Sequence, residues 1–306
     1  VDSYDLMILT RLSSDGRLSS ERIGKSIGLT GNAVANRIKK LTASGVVEGY
    51  RLIPNFDALG VKVTGYHFSS SQYKTAQCDL GAVSSLPYVH KVIAGMNGEV
   101  MVFTLSELGD DEEAHFRELS DILFEFELKR RFTRGSVSPP MRSLSRVDLR
   151  IMSHLVQRPR LSVSELSKKI GLSTRMVNRR VTKLFDDRLV RFSVKLQLSR
   201  LRGYIPYYLF VSFADVGYNG PSVKLLDRFR NATIWHGPLG RDKAVFAICR
   251  EDFSQVDRDI RSVEKMFSRE DFVTIFPARA IYNDEPISRI ITRALSAYTR
   301  SGQVTA

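Results

Sequence analysis

Apolar residues recur at three- and four-residue spacing in three sets near the start of the chain: Leu6, Leu9 and Leu12, then Ile23 and Ile27, then Val34, Ile38 and Leu41. That period places each set on one face of a short amphipathic helix. Ser19 stands where it would N-cap the second helix and Thr30 where it would N-cap the third; Gly28 lies between them, where a left-handed residue turns the chain sharply. The period then shortens. "VVEGYRLI" from Val46 reads as a wing strand and "VKVTGYHFSS" (Val61 to Ser70) as a further strand. A helix is expected near Thr75 to Ser85, and "VHKVIAG" and "EVMVFTL" make a strand pair. "DEEAHFRELSDILFEF" is an amphipathic helix and "RRFTRGSV" a last strand. The order βαββαβ folds as a four-stranded antiparallel sheet with two helices on one face. The other face would be a large apolar patch if left bare, so a second copy must cover it, from within the chain or from another chain.

The whole pattern returns 143 residues later. "IGLTGNAVANRIKKL" (Ile27 to Leu41) answers to "IGLSTRMVNRRVTKL" (Ile170 to Leu184), "DLMILTRL" from Asp5 to "DLRIMSHL" from Asp148, and "RLSSERIGKSIG" from Arg17 to "RLSVSELSKKIG" from Arg160. Ser162, Ser173 and Gly171 repeat the caps and the turn, and "LVRFSVKLQL" at Leu189 repeats the wing strand. The second βαββαβ series runs "IPYYLFVSF", "SVKLLDRFR", "ATIWHG", "KAVFAICR", "FSQVDRDIRSVEKMF" and "FVTIFPARAIY". The expected fold class is therefore α+β, two winged helix-turn-helix domains (1–60 and, with a linker at Pro139 and Pro140, 139–202) alternating with two ferredoxin-like domains (61–138 and 203–283). A helical tail, 284–306, would dock on a partner subunit or cap its own domain.

A helix-turn-helix holds its second helix proud of the domain, so that side chains near its start reach base edges in the major groove. In the first unit that face would carry Asn32, Ala33, Asn36, Arg37 and Lys40; in the second, Thr174, Arg175, Asn178, Arg179 and Lys183. Asn matches adenine and Arg matches guanine bidentately, whereas late Arg and Lys meet phosphates. Charge sharpens the picture. Of a net +13, the stretch 1–60 holds eight Lys/Arg against six Asp/Glu, while 142–202 holds sixteen against four. A concentrated positive field favours a polyanion, double-stranded DNA first, over a merely solvated helix face.

Other features change little. With 306 residues, 43% apolar and 26% charged, and no apolar run of spanning length, the composition is that of a soluble protein with no membrane partner. Cys78 and Cys249 form no metal or disulfide spacing, and no secretory or transit pattern opens the chain at Val1, so a cytoplasmic setting is expected. His67, His90, His115 and His154 lack ligand spacing; no metal, cofactor or catalytic residue is expected. Asp5 and Asp148 start their helices, where a carboxylate favours the positive end. Trp235 and His236, on a strand entering a glycine turn, fit core and edge positions better than a pocket.

"DSYDLMILTRL", "LSSERIGKSIGLTGNAVANRIKKL" and "SGVVEGY" closely resemble the DNA-binding domain of the leucine-responsive regulatory protein/AsnC (Lrp/AsnC) family of transcription regulators, and each βαββαβ unit resembles its effector-binding domain. The resemblance covers residue 2 to about 282 as two copies in tandem. It implies sequence-specific DNA binding, homo-oligomers built through the sheets, and a small effector, typically an amino acid, near the glycine turns. Those turns offer Gly95, Gly98 and Glu99, and Gly237, Gly240 and Asp242. The family's usual Asp three residues after the first glycine is replaced by Gly98 and Gly240, which weakens the case for an amino acid. Two unlike heads on one chain would read an imperfect palindrome or two unlike half-sites. Siroheme decarboxylases also resemble this family and are sometimes fused as two unlike halves, but their "RRIGA"-like stretch is replaced here by "VEGYRLI" and "VRFSVKL". An architectural protein that coats DNA with little sequence preference is the remaining alternative.

Overall fold

The computed structural model describes residues 1–70, 79–134, 143–213, 221–229, 232–238, 243–268 and 270–301. The helix start expected at Thr75, Cys78, the Pro139–Pro140 linker, Gly240 and Asp242 lie outside the described residues. The chain opens with α1 (Ser3–Ser14), α2 (Ser20–Ile27) and α3 (Gly31–Ala43). Ser19 and Thr30 accept from the amides of Arg22 and Ala33, and Gly28 turns the chain at φ +77°. A side chain there would meet open space, so the glycine is required by its backbone angle alone. Leu9, Leu12, Ile23, Val34 and Leu41 are buried as their spacing predicts, Leu6, Ile27 and Ile38 are partly buried against them, and Ile8 joins the core.

A single strand, β1 (Val47–Pro54), follows, and then the first sheet: β2 (Lys62–Ser69), α4 (Leu80–Ser85), β3 (Val89–Gly95), β4 (Glu99–Ser106), α5 (Glu112–Ile122) and β5 (Glu127–Arg134). The second head comprises α6 (Arg146–Gln157), α7 (Val163–Ile170) and α8 (Thr174–Asp186), with Ser162, Ser173 and Gly171 in the capping and turning roles expected of them. After β6 (Val190–Leu196) come β7 (Ile205–Ser212), α9 (Pro221–Phe229), β8 (Thr233–Pro238), β9 (Lys243–Arg250), α10 (Phe253–Glu264), β10 (Phe272–Ile275), β11 (Pro277–Tyr282) and α11 (Glu285–Ser301).

Two pairings depart from independent domains. The wing strands do not stay within their own units; β1 and β6 pair antiparallel with each other, Arg51 opposite Ser193 and Leu52 opposite Phe192. One strand per unit cannot satisfy its own backbone groups, and the equivalent strand of the other half supplies the missing partners. The stretch expected as one last strand, "FVTIFPARAIY", divides at Phe276. β10 stays in the second sheet beside β7, whereas β11 crosses to the first sheet beside β3, giving the orders β10-β7-β9-β8 and β11-β3-β4-β2-β5. Pro277 has no amide hydrogen to continue the ladder, so the chain changes sheet there. The stretch expected as 203–283 therefore gives its last strand, β11, to the first sheet.

The bare faces cover one another within the chain. Ile93, Met101, Phe103 and Phe132 of the first sheet share one buried cluster with Tyr208, Phe210, Val245 and Ile275 of the second, while Tyr66 and Phe68, and Tyr207 and Leu209, point the other way beneath the helices. The tail helix α11 buries Ile287, Ile290 and Ile291 in the core of the second head, against α6. Arg293 reaches back to Glu107 of the first half at 2.7 Å, so the tail ties the second head to the first sheet. Among the described residues no helix is long and apolar enough to cross a membrane.

Candidate nucleic-acid interface

On α8 the buried residues Val177, Val181 and Leu184 fix which side faces the core. Thr174, Arg175, Asn178, Arg179 and Lys183 are all exposed on the opposite side. Arg175, Arg179 and Lys183 form no ion pair among the described residues. Ser173 holds the helix start by accepting from Met176 N, which sets where Thr174 and Arg175 project. Met176, the next residue along the helix, is an exposed apolar group.

The first head differs. Asn32, Asn36 and Lys40 are exposed on α3 and Ala33 is partly so. Arg37, expected on the same reading face, is committed elsewhere: its Nη1 donates to Asp2 Oδ2 at 2.8 Å and Asp5 Oδ1 at 2.9 Å, and its guanidinium lies over the Tyr4 ring. Hydrogen bonds to Asp5 and then Asp2 hold Arg37 above its ordinary pKa range. The equivalent pair recurs at lower intimacy in the second head, Arg180 Nη1 standing 3.7 Å from buried Asp148 Oδ1. Asp5 and Asp148 thus act in two ways: each completes the capping box of its first helix and each tethers the third helix to the first.

Beside α3 runs an open crevice of about 1120 Å³, lined by Ala33, Asn36 and Lys40 together with Arg200 and Arg202 of the second half. Arg200 packs its guanidinium over Gly45, where φ is +71° and a Cβ would collide. Sequence position assigns these two arginines to the second head. The fold delivers them to the first.

The first glycine turn is packed against the second half of the chain. Between β3 and β4, Gly95 is packed against Asn97 and Ile275, Asn97 Nδ2 donates to Thr274 O at 2.8 Å, and Met96 N to Phe276 O at 2.7 Å. The chain's own second half therefore fills the approach to that turn. Glu99 is engaged by His67 Nε2 at 2.5 Å and by Ser69 Oγ at 3.1 Å, and Gly98 supplies the positive φ of the turn. Gly237 lines a separate cavity between the sheets, as do Trp235 and His236, which the strand pattern placed as core and edge residues.

The heads coincide with known families. Residues 1–42 match the AsnC-type helix-turn-helix domain, and residues 144–191 match a winged helix-turn-helix DNA-binding domain. The chain is similar to the HTH-type transcriptional regulator LrpB of Bacillus subtilis, 35% identical over 68 residues, which are 22% of this chain and 46% of that one. Its first head is an AsnC-type helix-turn-helix domain. A second Lrp/AsnC relative, the leucine-responsive regulatory protein of Rhizobium meliloti, is 32% identical over 66 residues, 22% of this chain and 42% of the relative. The chain spans about half the length of the curated relatives it matches. Over nearly its whole length the chain also shares its fold with the siroheme decarboxylase NirDL, at 15% identity and a TM-score of 0.51, covering 97% of this chain and 100% of that one.

Proposed function

We propose that this chain is a sequence-specific DNA-binding transcription regulator with two non-identical heads. The observation that carries the reading is the outer face of α8, where Thr174, Arg175, Asn178, Arg179 and Lys183 stand exposed on a helix-turn-helix of matched family. Arg175 and Arg179 suit guanine edges, Asn178 suits adenine, and Lys183 suits a phosphate. The first head offers Asn32, Ala33, Asn36 and Lys40, with Arg200 and Arg202 alongside for phosphates. One chain thereby supplies both halves of a pseudo-symmetric reader, and the two halves carry different chemistry. Homo-oligomerisation, action in the cytoplasm and modulation by a small effector belong to the same reading.

Selection from a random DNA pool with the intact chain tests it. An enriched motif that loses one half when Arg175, Arg179 and Lys183 are changed to Ala is expected. Binding without enrichment, governed by salt alone, would make the protein architectural. The shared fold with NirDL favours one further reading, a tetrapyrrole enzyme; absence of DNA binding together with a new visible absorbance band on adding siroheme would establish that instead.

A further inference from the structure

The two sheets do not close fully on one another. Between them, beneath the β1–β6 ribbon, lies a cavity of about 290 Å³. That volume sits at the lower end of small-molecule pockets, roughly 300–1,000 Å³, and suits a ligand of one or two rings. His236 is its exposed lining residue and marks the rim; Phe103, Phe132, Tyr208, Phe210, Trp235 and Tyr282 form an aromatic wall.

Its charge is one-sided. Arg51 and Arg191 from the ribbon and Lys91 from β3 line the cavity, and among the described residues no Asp or Glu does. Asp284 stands 2.9 Å from Arg51 and 2.7 Å from Lys195, so one carboxylate outside the lining is divided between two cations. Arg51 is almost fully buried, and its Nε has no hydrogen-bond partner. Lys91 Nζ lies 5.2 Å from the Tyr282 ring centroid, 5.7 Å from those of Tyr208 and Trp235, and 5.9 Å from that of Phe103. It has no carboxylate partner among the described residues. Desolvation first, then Arg51 and Arg191, pull the Lys91 pKa down to about 7. Ring faces attract the ammonium but supply no counter-charge.

We propose that this cavity binds a small aromatic carboxylate. The carboxylate pairs with Lys91 between Arg51 and Arg191, and the ring stacks within the Trp235 and Tyr208 wall. An amino acid is a poor match, because its ammonium would meet three cations and, among the described residues, no lining acid. A tetrapyrrole with many carboxylates exceeds the volume.

Trp235 is the sole tryptophan of the chain, so its fluorescence reports the cavity without any need for DNA. The experiment is a titration of the full chain with sodium benzoate at constant ionic strength, with benzamide as the uncharged isostere. A saturable change with benzoate is expected, at least tenfold weaker with benzamide, at least tenfold weaker in K91M, and largely kept in K91R. R191Q, expected to weaken benzoate several-fold, serves if circular dichroism shows that K91M does not fold. No saturable response to benzoate, an equal response to benzamide, or an unchanged affinity in both K91M and R191Q overturns the proposal. So does a tight siroheme complex that excludes benzoate, which would assign the cavity to a tetrapyrrole.

Discussion

Arg17 and Arg160, equivalent residues of the two units, reach across to each other's head: Arg17 donates to Pro159 O at 2.6 Å and Leu161 O at 3.0 Å, and Arg160 donates to Leu18 O at 3.2 Å. Each guanidinium also lies over a ribbon ring contributed by the opposite half, Phe192 for Arg17 and Tyr50 for Arg160. Burial lowers the Arg17 pKa, Asp15 offsets that, and Arg160 adds to it, so the two cations sit close together yet each is satisfied by carbonyls. The exchange fixes how the two reading helices are held relative to one another. Replacing both arginines with Ala removes charge-assisted bonds worth about 2 kcal/mol each. In DNA selection the double variant is expected to keep both half-site sequences while tolerating several spacings between them; one unchanged spacing would show that the exchange does not set it.

Asp148 joins two tasks in one fully buried carboxylate. It accepts from Ser145 N at 3.0 Å and Ser145 Oγ at 2.7 Å, and it faces Arg180. Changing Asp148 to Ala should destabilise the second head by about 3 kcal/mol, because a helix cap is lost together with the buried carboxylate that faces Arg180. The equivalent Asp5 change, at a more exposed position, should cost about 1 kcal/mol. Chemical denaturation of the two variants gives the comparison, and equal losses would contradict it.

Arg175, Arg179 and Lys183 of α8, which form no ion pair among the described residues, predict a salt effect. Each phosphate contact contributes about 0.9 to the slope of log affinity against log salt. The triple change of Arg175, Arg179 and Lys183 to Ala should make that slope shallower by about 1 to 3, depending on how many meet phosphates rather than bases. Binding measured on the selected site between low and moderate salt reads the slope directly, and an unaltered slope would remove α8 from the interface.

Lys91 predicts a rise of stability with pH. Its folded pKa, near 7, is below the ordinary 10.5, so from pH 7 upward the unfolded chain binds more protons than the folded one and unfolding becomes costlier. His236, its pKa lowered by burial, titrates below this window. Burial raises Cys249, Tyr208 and Tyr282, which oppose the trend at higher pH. Between pH 7 and 9 the difference in stability between the wild-type chain and K91M isolates Lys91. The wild type should gain relative to K91M across that interval; a constant difference would mean that Lys91 stays charged throughout.

The heads were legible because their signals are local. Ser19, Thr30, Ser162 and Ser173 cap the helices that the apolar period outlines, and Gly28 and Gly171 turn between them, each within a few residues of the element it serves. The shared ribbon was not legible, since "VVEGYRLI" has the same pattern whether it pairs within its own unit or with "LVRFSVKLQL". The crossing of β11 left a trace in Pro277, a proline in the middle of an apparent strand. Arg37 also left one: Asp5 and Arg37 recur together as Asp148 and Arg180, a joint repeat that marks a structural pair more than a reading face. Arg200 and Arg202 left none, because only the three-dimensional crossing carries them from the second head to the first. Lys91 was visible as a lone cation in the apolar "VHKVIAG", but its charged and aromatic neighbours come from other strands.

The central claim is that two unlike heads on one chain read DNA together, and base-resolution protection mapping on the selected site tests it most directly. The intact chain is compared with one variant altered at Asn32, Asn36 and Lys40 and another altered at Arg175, Arg179 and Lys183, all to Ala. The account predicts that each variant loses protection over a different half-site of different sequence. Symmetric protection that weakens equally on both sides, whichever head is altered, would contradict it.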